Sequence, residues 1–260
     1  MAKISAYIIG YNEERNIAEA IKSVLWADEV VFCDSFSTDR SAEIAVSLGA
    51  RVVQIPFEGF GKLRTAAIAS TQHEWVFSLD TDERCTEAAR DEMRRVVESP
   101  DAADAYFMPR RNVFMGRVIR HCGWYPDYRQ PQLFRRTAMT FDEAMVHEGY
   151  TVTGRTDYLK NHIWQYPYRD LSQLIGKMER YSTLGAQKLA DRGRESTMAT
   201  AFVHALVAFF RIYVFKLGFL DGWPGFVISF ANFEGTFYRY AKKVEKDAGW
   251  DRTGTGNHGN

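Results

Sequence analysis

Short apolar runs and helix-spaced apolar positions alternate through the first hundred residues. Residues 4–9 form a β-branched, aromatic-containing run that stops at Gly10 and predicts a buried strand. Ile17, Ile21, Val24 and Leu25 then recur at helical spacing, and 29–32 predicts a second strand that ends at Asp34. A helix follows from about Thr38, the expected N-cap, with Ile44, Ala45 and Leu48 on one face and Gly49 as its stop. Residues 51–55 predict a third strand closed by Pro56, and 63–69 a third helix. The fourth strand, 75–79, runs into Asp80-Thr81-Asp82-Glu83, and Ala89, Met93, Val96 and Val97 mark a helix that stops before Pro100. Alternation of this kind with short links makes a parallel sheet covered by helices on both faces.

The pattern changes from 105 onward. Residues 105–111, 117–120 and 132–136 predict shorter strands in an added antiparallel section. Beyond about 168, Leu171, Leu174, Ile175, Met178 and Leu189 indicate a helix, and 202–240 hold 13 of the 37 aromatic residues. The expected organisation is a catalytic α/β domain over 1–160, a helical, aromatic-rich appendage over 161–246 and a disordered tail over 247–260. The apolar stretch 202–210 contains His204, and Arg211, Lys216, Asp221 and Pro224 interrupt the residues after it, so no uninterrupted run reaches the roughly 18–20 residues of a membrane span. Two readings of the aromatics stay open: packing against the α/β domain, or a helix pair lying in a membrane interface with Arg211, Lys216, Arg239, Lys242 and Lys243 near lipid phosphates.

Composition adds exclusions. At 260 residues with 46% hydrophobic and 25% charged positions, the chain is in the ordinary globular range. Lys and Arg number 33, as do Asp and Glu, so no global attraction to polyanions is implied. Cys33, Cys85 and Cys122 are too few and too scattered for a disulfide framework, and with no CxxC pair a structural zinc site is not expected. A reducing compartment is the simplest expectation, and the N-terminus shows no secretion-signal pattern.

The candidate chemistry lies where the strands end. Open parallel sheets bind ligands at the carboxyl ends of their strands. Three such ends carry polar groups: Gly10-Tyr11-Asn12-Glu13-Glu14, Asp34-Ser35-Phe36-Ser37-Thr38-Asp39 and Asp80-Thr81-Asp82-Glu83. Acidic groups gathered there repel one another unless a cation or a donor-rich ligand lies between them, and a nucleotide with a divalent metal meets both needs. Neither a P-loop nor a dinucleotide fingerprint is present. Asp80 and Asp82 alternate on an extended segment, so their carboxylates share one side. Hard oxygen ligands of that kind suit Mg²⁺ or Mn²⁺ on a diphosphate. Seven arginines (110, 111, 117, 120, 129, 135 and 136) against the single acid Asp127 make 105–136 a basic section. It suits a phosphorylated or acidic ligand. No nucleic-acid motif accompanies it. Trp124 and Tyr125 beside it offer aromatic faces either for a ligand or for the core.

YNEE after the first strand, DSFSTD after the second and SLDTDE after the fourth resemble an inverting family 2 glycosyltransferase with the GT-A fold, a Rossmann-like, mostly parallel α/β sheet flanked by helices. GRVIRHCGWYPDYRQPQLFRR, VHEGY and FKLGFLDGWPGFVISFANFEGTFYRYAKK resemble, more narrowly, the lipopolysaccharide core β-1,4-glucosyltransferase branch. The resemblance implies nucleotide contacts for Tyr11, Asn12, Glu13 and Asp34, a diphosphate contact for Lys62 or Arg64, a ribose or metal contact for Asp80 and a metal contact for Asp82. Asn12 and Glu13 have helix N-capping before Ile17 as their alternative. Ser35 stands where the motif more often carries a second acid.

Inverting transfer to a hydroxyl needs a base. Glu148 is the first candidate by resemblance and Asp127 the second, with His147 as metal ligand or base-orienting group. Arg111, Arg120, Trp124 and Arg129 are the candidate acceptor contacts. The resemblance thus implies a Mn²⁺- or Mg²⁺-dependent enzyme that moves a sugar, glucose first, from a UDP-sugar donor to a lipid-linked glycan. Its expected place is the cytoplasm, peripheral at the inner-membrane surface, with no nucleic-acid partner. A polyprenyl-phosphate sugar synthase and a non-catalytic nucleotide-sugar-binding scaffold are the alternatives.

Overall fold

The computed structural model describes residues 1–142 and 149–249. The chain divides into two compact units. The first comprises Met1–Arg111 and Pro126–Tyr166; the second takes Asn112–Tyr125 and the chain from Pro167. The helical segment expected from 161 thus starts its unit at Pro167, and 112–125 belong with it.

In the first unit β1 (Ile4–Gly10), α1 (Ile17–Lys22), β2 (Glu29–Asp34), α2 (Ser41–Ser47), β3 (Arg51–Gln54), α3 (Phe60–Ala69) and β4 (Trp75–Asp80) follow the predicted alternation. After them come β5 (Glu83–Arg84), α4 (Glu87–Val97), β6 (Ala105–Phe107) and β7 (Arg110–Phe114), the last crossing into the second unit, where β8 (Arg117–Val118) lies. Then β9 (Pro131–Arg135), β10 (Met139–Phe141), β11 (Tyr150–Val152), β12 (Thr156–Tyr158) and β13 (Ile163–Gln165) complete the first unit. Seven strands form the main sheet in the order β12-β6-β9-β4-β1-β2-β3, with β9 antiparallel to both its neighbours. Alternation along β1 explains the two-sided cover. Ile4, Ala6 and Ile8 pack with Ile17, Ile21, Ala45 and Met93 of α1, α2 and α4, whereas Tyr7 and Ile9 pack with Leu63, Ala67 and Ile68 of α3.

Local chemistry moved two boundaries. Thr38 does not cap α2, which begins at Ser41; the Thr38 amide donates to Asn12 Oδ1 at 2.8 Å. The single strand expected over 105–111 is two, β6 and β7, broken by Met108-Pro109, where proline lacks the donor a ladder needs. Gly49 does stop α2, at φ +85°.

The second unit carries the β7–β8 hairpin, whose turn places Met115 and Gly116 at positive φ. Its helices are α5 (Leu171–Asp191), capped by Asp170, α6 (Met198–Phe210), capped by a Thr197–Thr200 box, and α7 (Trp223–Asp247). Phe114, Ile119, Cys122, Leu174, Ile212 and Ile228 form its core. Buried Asp221 accepts from the amides of Arg120 and His121 at 3.1 and 2.8 Å. The aromatics divide by helix. Phe226, Phe230, Phe233 and Phe237 make a stacked ladder along α7.

α6 passes without a break into a π-helical turn, Arg211–Phe215. Met198–Phe215 is therefore one helical stretch with mean hydropathy 1.8, long and apolar enough by length and composition to cross a membrane. That corrects the sequence expectation of no such run: Arg211 is a single charge through which the helix continues. Helix α7 runs to Asp247, the first residue of the expected tail, and 250–260 lie outside the described residues. The three cysteines are free, and burial pushes each thiol up to about 12.

Candidate active site

Because β1 pairs in parallel with both β2 and β4, their carboxyl ends lie side by side. Gly10 stands opposite Asp34, and Ile9 opposite Asp80. A cavity of about 570 Å³ opens at this edge, lined by Gly10, Tyr11, Glu13, Ser35, Phe57, Phe60, Arg64, Asp80 and Thr81 among others. A Cβ at Gly10 would stand 3.0 Å from both the Phe32 ring and the Thr81 methyl, so a side chain there would have to push packed neighbours aside. Tyr11 is 56% exposed at the mouth, a free aromatic face of the kind a nucleobase stacks on.

The first two loops are tied to each other. Asn12 sits in the left-handed region at φ +54°, its amide donates to Ser37 Oγ at 2.9 Å, and its side chain accepts from Thr38. The amides of Glu13 and Glu14 donate to Ser41 Oγ and Asp39 at 2.7 and 3.0 Å. Neither Asn12 nor Glu13 caps α1, whose N-cap is Asn16. Asp34 is fully buried, and its carboxylate accepts from Ser37 and from Gln54 Nε2 at 2.9 Å, so it shapes the loop from inside. The neighbouring Ser35 lines the cavity, and its buried hydroxyl has no partner among the described residues.

Of the two basic candidates only Arg64 reaches the cavity. It is 5% exposed, and its guanidinium donates to both Asp80 oxygens at 3.0 and 3.2 Å and to Ser78 Oγ at 3.3 Å. Lys62 pairs with Glu58 at 3.1 Å on the exposed side of α3. Beneath the Asp80–Asp82 turn lies a buried pair that the sequence pattern does not reveal. Glu83 accepts from Arg110 Nε at 2.5 Å, from Gln132 Nε2 at 3.0 Å and from the Asp80 amide at 3.0 Å. Strand β13 supports the turn from the other side: the Tyr166 amide donates to the Asp82 carbonyl at 2.8 Å, and Gln165 Nε2 lies 3.5 Å from Asp82 Oδ2. Gln165 Oε1 in turn accepts from Arg129 at 3.4 Å, and Arg129 grips Asp127 Oδ2 at 2.7 Å. Glu83, Arg110, Gln132 and Gln165 are 1–3% exposed. Polar residues so deeply buried are fixed partners, and no motif announces them.

Among the described residues no group of three His, Cys, Asp or Glu side chains could hold a metal ion. Two carboxylate side chains still match what Mg²⁺ or Mn²⁺ takes when phosphates and waters complete the shell. Asp80, one-third exposed, and Asp82 are such a pair. Glu148 and His147 lie outside the described residues. Arg111 is near enough to His162 to oppose its protonation. Arg129 belongs to the first unit with Arg111; Arg120 and Trp124 belong to the second, where Arg120 is exposed and Trp124 packs on Phe114 and Tyr168.

Comparison with known proteins gives a consistent picture. Residues 5–162 match the model of glycosyl transferase family 2. An uncharacterized glycosyltransferase of Rickettsia prowazekii is 26% identical over 93% of this chain and 87% of its own. A lipopolysaccharide core biosynthesis glycosyltransferase of Rhizobium meliloti, LpsC, is 25% identical over 93% of this chain and 94% of its own. Among solved structures, S. aureus TarS 1–349 is similar with a TM-score of 0.49 and 16% identity, over 94% of this chain and 91% of that one. With a helix-covered, mostly parallel GT-A sheet whose strand ends carry the YNEE, DSFSTD and DTD segments, and a family match across more than half its length, the chain belongs to glycosyl transferase family 2 and is a glycosyltransferase.

Proposed function

We propose that this enzyme is a divalent-metal-dependent inverting transferase that moves a sugar, glucose first, from a UDP-sugar to a lipid-linked glycan of the lipopolysaccharide-core type. The observation that carries this reading is the cavity at the ends of β1, β2 and β4, with Asp80, Arg64 and an exposed aromatic ring on its wall. Tyr11 stacks on the base, Ser35 offers its unpartnered hydroxyl to the nucleoside, and Arg64 balances charge at the diphosphate end. Asp80 and Asp82 hold the ion, which when bound neutralises charge growing on the leaving diphosphate. The acceptor hydroxyl attacks the anomeric carbon from the opposite face, and a carboxylate takes its proton. Asp127 is the described residue for that task, Glu148 the other candidate. The acceptor class is supported by the similarity to LpsC across most of both chains and by the arginine-rich section.

A lipid-linked acceptor requires access to a bilayer surface, and α6 supplies a means. Within Met198–Phe215 only 22% of the stretch is buried and Arg211 is its one charged residue, while Phe202, Val207, Phe210 and Phe215 are about half exposed or more. We place this face in the cytoplasmic leaflet of the inner membrane, with Arg211 and Lys216 at anionic headgroups.

Calorimetric titration of UDP with Mn²⁺, then with excess chelator, tests the site. Wild type should bind only with metal, and Asp82→Ala should weaken binding by about a hundredfold while melting normally. Equal affinity of Asp82→Ala for UDP would remove the metal assignment.

A further inference from the structure

Three exposed tyrosines with no part in the donor site gather at the edge of the main sheet. Among the described residues, edge strand β12 pairs with β6 alone, Tyr158 opposite Phe107, and all three of its residues are exposed. The Tyr158 ring stacks on Phe107 with centroids 5.0 Å apart and planes at 20°. Tyr128 meets Tyr158 edge-on at 5.0 Å and 84°, and Tyr150 meets Phe107 at 6.4 Å and 62°. Even so, Tyr158, Tyr128 and Tyr150 keep 57%, 39% and 37% of their surface in water. Rings fixed by one another on β11, β12 and the loop before β9, yet wet, form a preorganised platform.

The chemistry around the platform selects its occupant. Tyr128 is flanked by Asp127 and Arg129, which form an ion pair at 2.7 Å and remain 25% and 55% exposed. The Tyr150 hydroxyl donates to the Arg129 carbonyl at 3.4 Å, which brings the second ring to the same place. Carboxylate, guanidinium and phenol groups around aromatic faces offer acceptors and donors at a rim and π density at a floor. A pyranose presents the complement: a face of polarised C–H bonds and a rim of hydroxyls. An acyl chain has no use for the rim, and the one-to-one charge of the Asp127–Arg129 pair does not favour a polyanion. The position also suits an acceptor, because Arg129 reaches Gln165 and Gln165 reaches Asp82, so two side chains separate the platform from the metal carboxylate.

We propose that Tyr128, Tyr150 and Tyr158, with Asp127 and Arg129 at the rim, form a subsite for a pyranose ring of the acceptor glycan, which deepens and rests on the acceptor reading above. The subsite holds the acceptor through ring stacking, so its affinity depends on the aromatic rings more than on their hydroxyls.

Saturation-transfer NMR on the full chain tests this, with methyl glycosides of glucose, galactose and mannose and a delipidated core oligosaccharide as probes, irradiating the aromatic protons. Ring protons of at least one probe should receive saturation from wild type. Tyr158→Ala and Tyr128→Ala should each weaken that probe by about tenfold, and Tyr158→Phe should keep it within about twofold. UDP titration with Mn²⁺ on the same samples should give unchanged binding and serves as the folding control. No saturation from wild type, or equal saturation from wild type and Tyr158→Ala, overturns the subsite. If UDP fails to bind wild type while probe binding still depends on Tyr158, the subsite stands and the donor assignment falls.

Discussion

His162 shows how one side chain sets a pH response. Its ring nitrogen Nε2 is buried with no partner among the described residues, and burial, helped by the Arg111 guanidinium, holds its pKa below the ordinary 6.5. The unfolded chain protonates this ring near 6.5, the folded one only at lower pH. Between those values the unfolded state binds more protons, so stability rises with pH across the window and is lost on acidification through it. Denaturant midpoints should therefore fall between pH 7 and about 5.5 in wild type, and the fall should be smaller in His162→Gln. An identical fall in both proteins would assign the effect to other groups. The carboxylates whose pKa values are lowered, such as Asp28 and Glu29, act in a more acidic range. At this scale the sequence was partly legible. The apolar run before Asp80 put that carboxylate at a strand end, and the cavity opens there. The separation of Arg64 from Lys62 was not legible, since both lie in the same turn of α3 and only packing against β4 buries one of them.

Elements were read well where one periodicity dominated. β1, β2, β4 and α4 were evident because their buried positions follow a continuous run or a 3.6-residue repeat. The insertion of β9 between β4 and β6 was not, because which strand pairs with which is decided by contacts distant in sequence. Among those contacts the Glu83–Arg110 pair, 1% and 2% exposed, joins β5 to β7 under the Asp80–Asp82 turn. Removing one partner of such a pair leaves a buried charge uncompensated. Arg110→Met should cost about 3–5 kcal/mol in urea unfolding, and Arg110→Met with Glu83→Gln should recover much of that loss. Equal stability of the single variant and wild type would show that water reaches Glu83.

For the whole molecule, the proposed membrane attachment and the proposed donor binding draw on different residues, so they should separate by mutation. Phe210→Ser with Phe215→Ser should lower cosedimentation with anionic vesicles by at least about tenfold, since full burial of each aromatic side chain is worth roughly 1.5–3 kcal/mol and even half of that for the pair exceeds tenfold. UDP binding should be unchanged in that variant, and Asp82→Ala should sediment like wild type. Cosedimentation of the Phe210 and Phe215 double variant at wild-type levels would point away from α6. The length of Met198–Phe215 became apparent only in three dimensions, where a π-helical turn carries the helix past Arg211. The cysteines make the attachment easy to follow. A thiol that ionises only near 12 supplies almost no thiolate at neutral pH, and the thiolate is the species that reacts with alkylating probes. The native cysteines should therefore react slowly with maleimides in the folded chain. A cysteine placed at position 215, where Phe215 is 80% exposed, should label first, and its probe would report whether that position enters a bilayer.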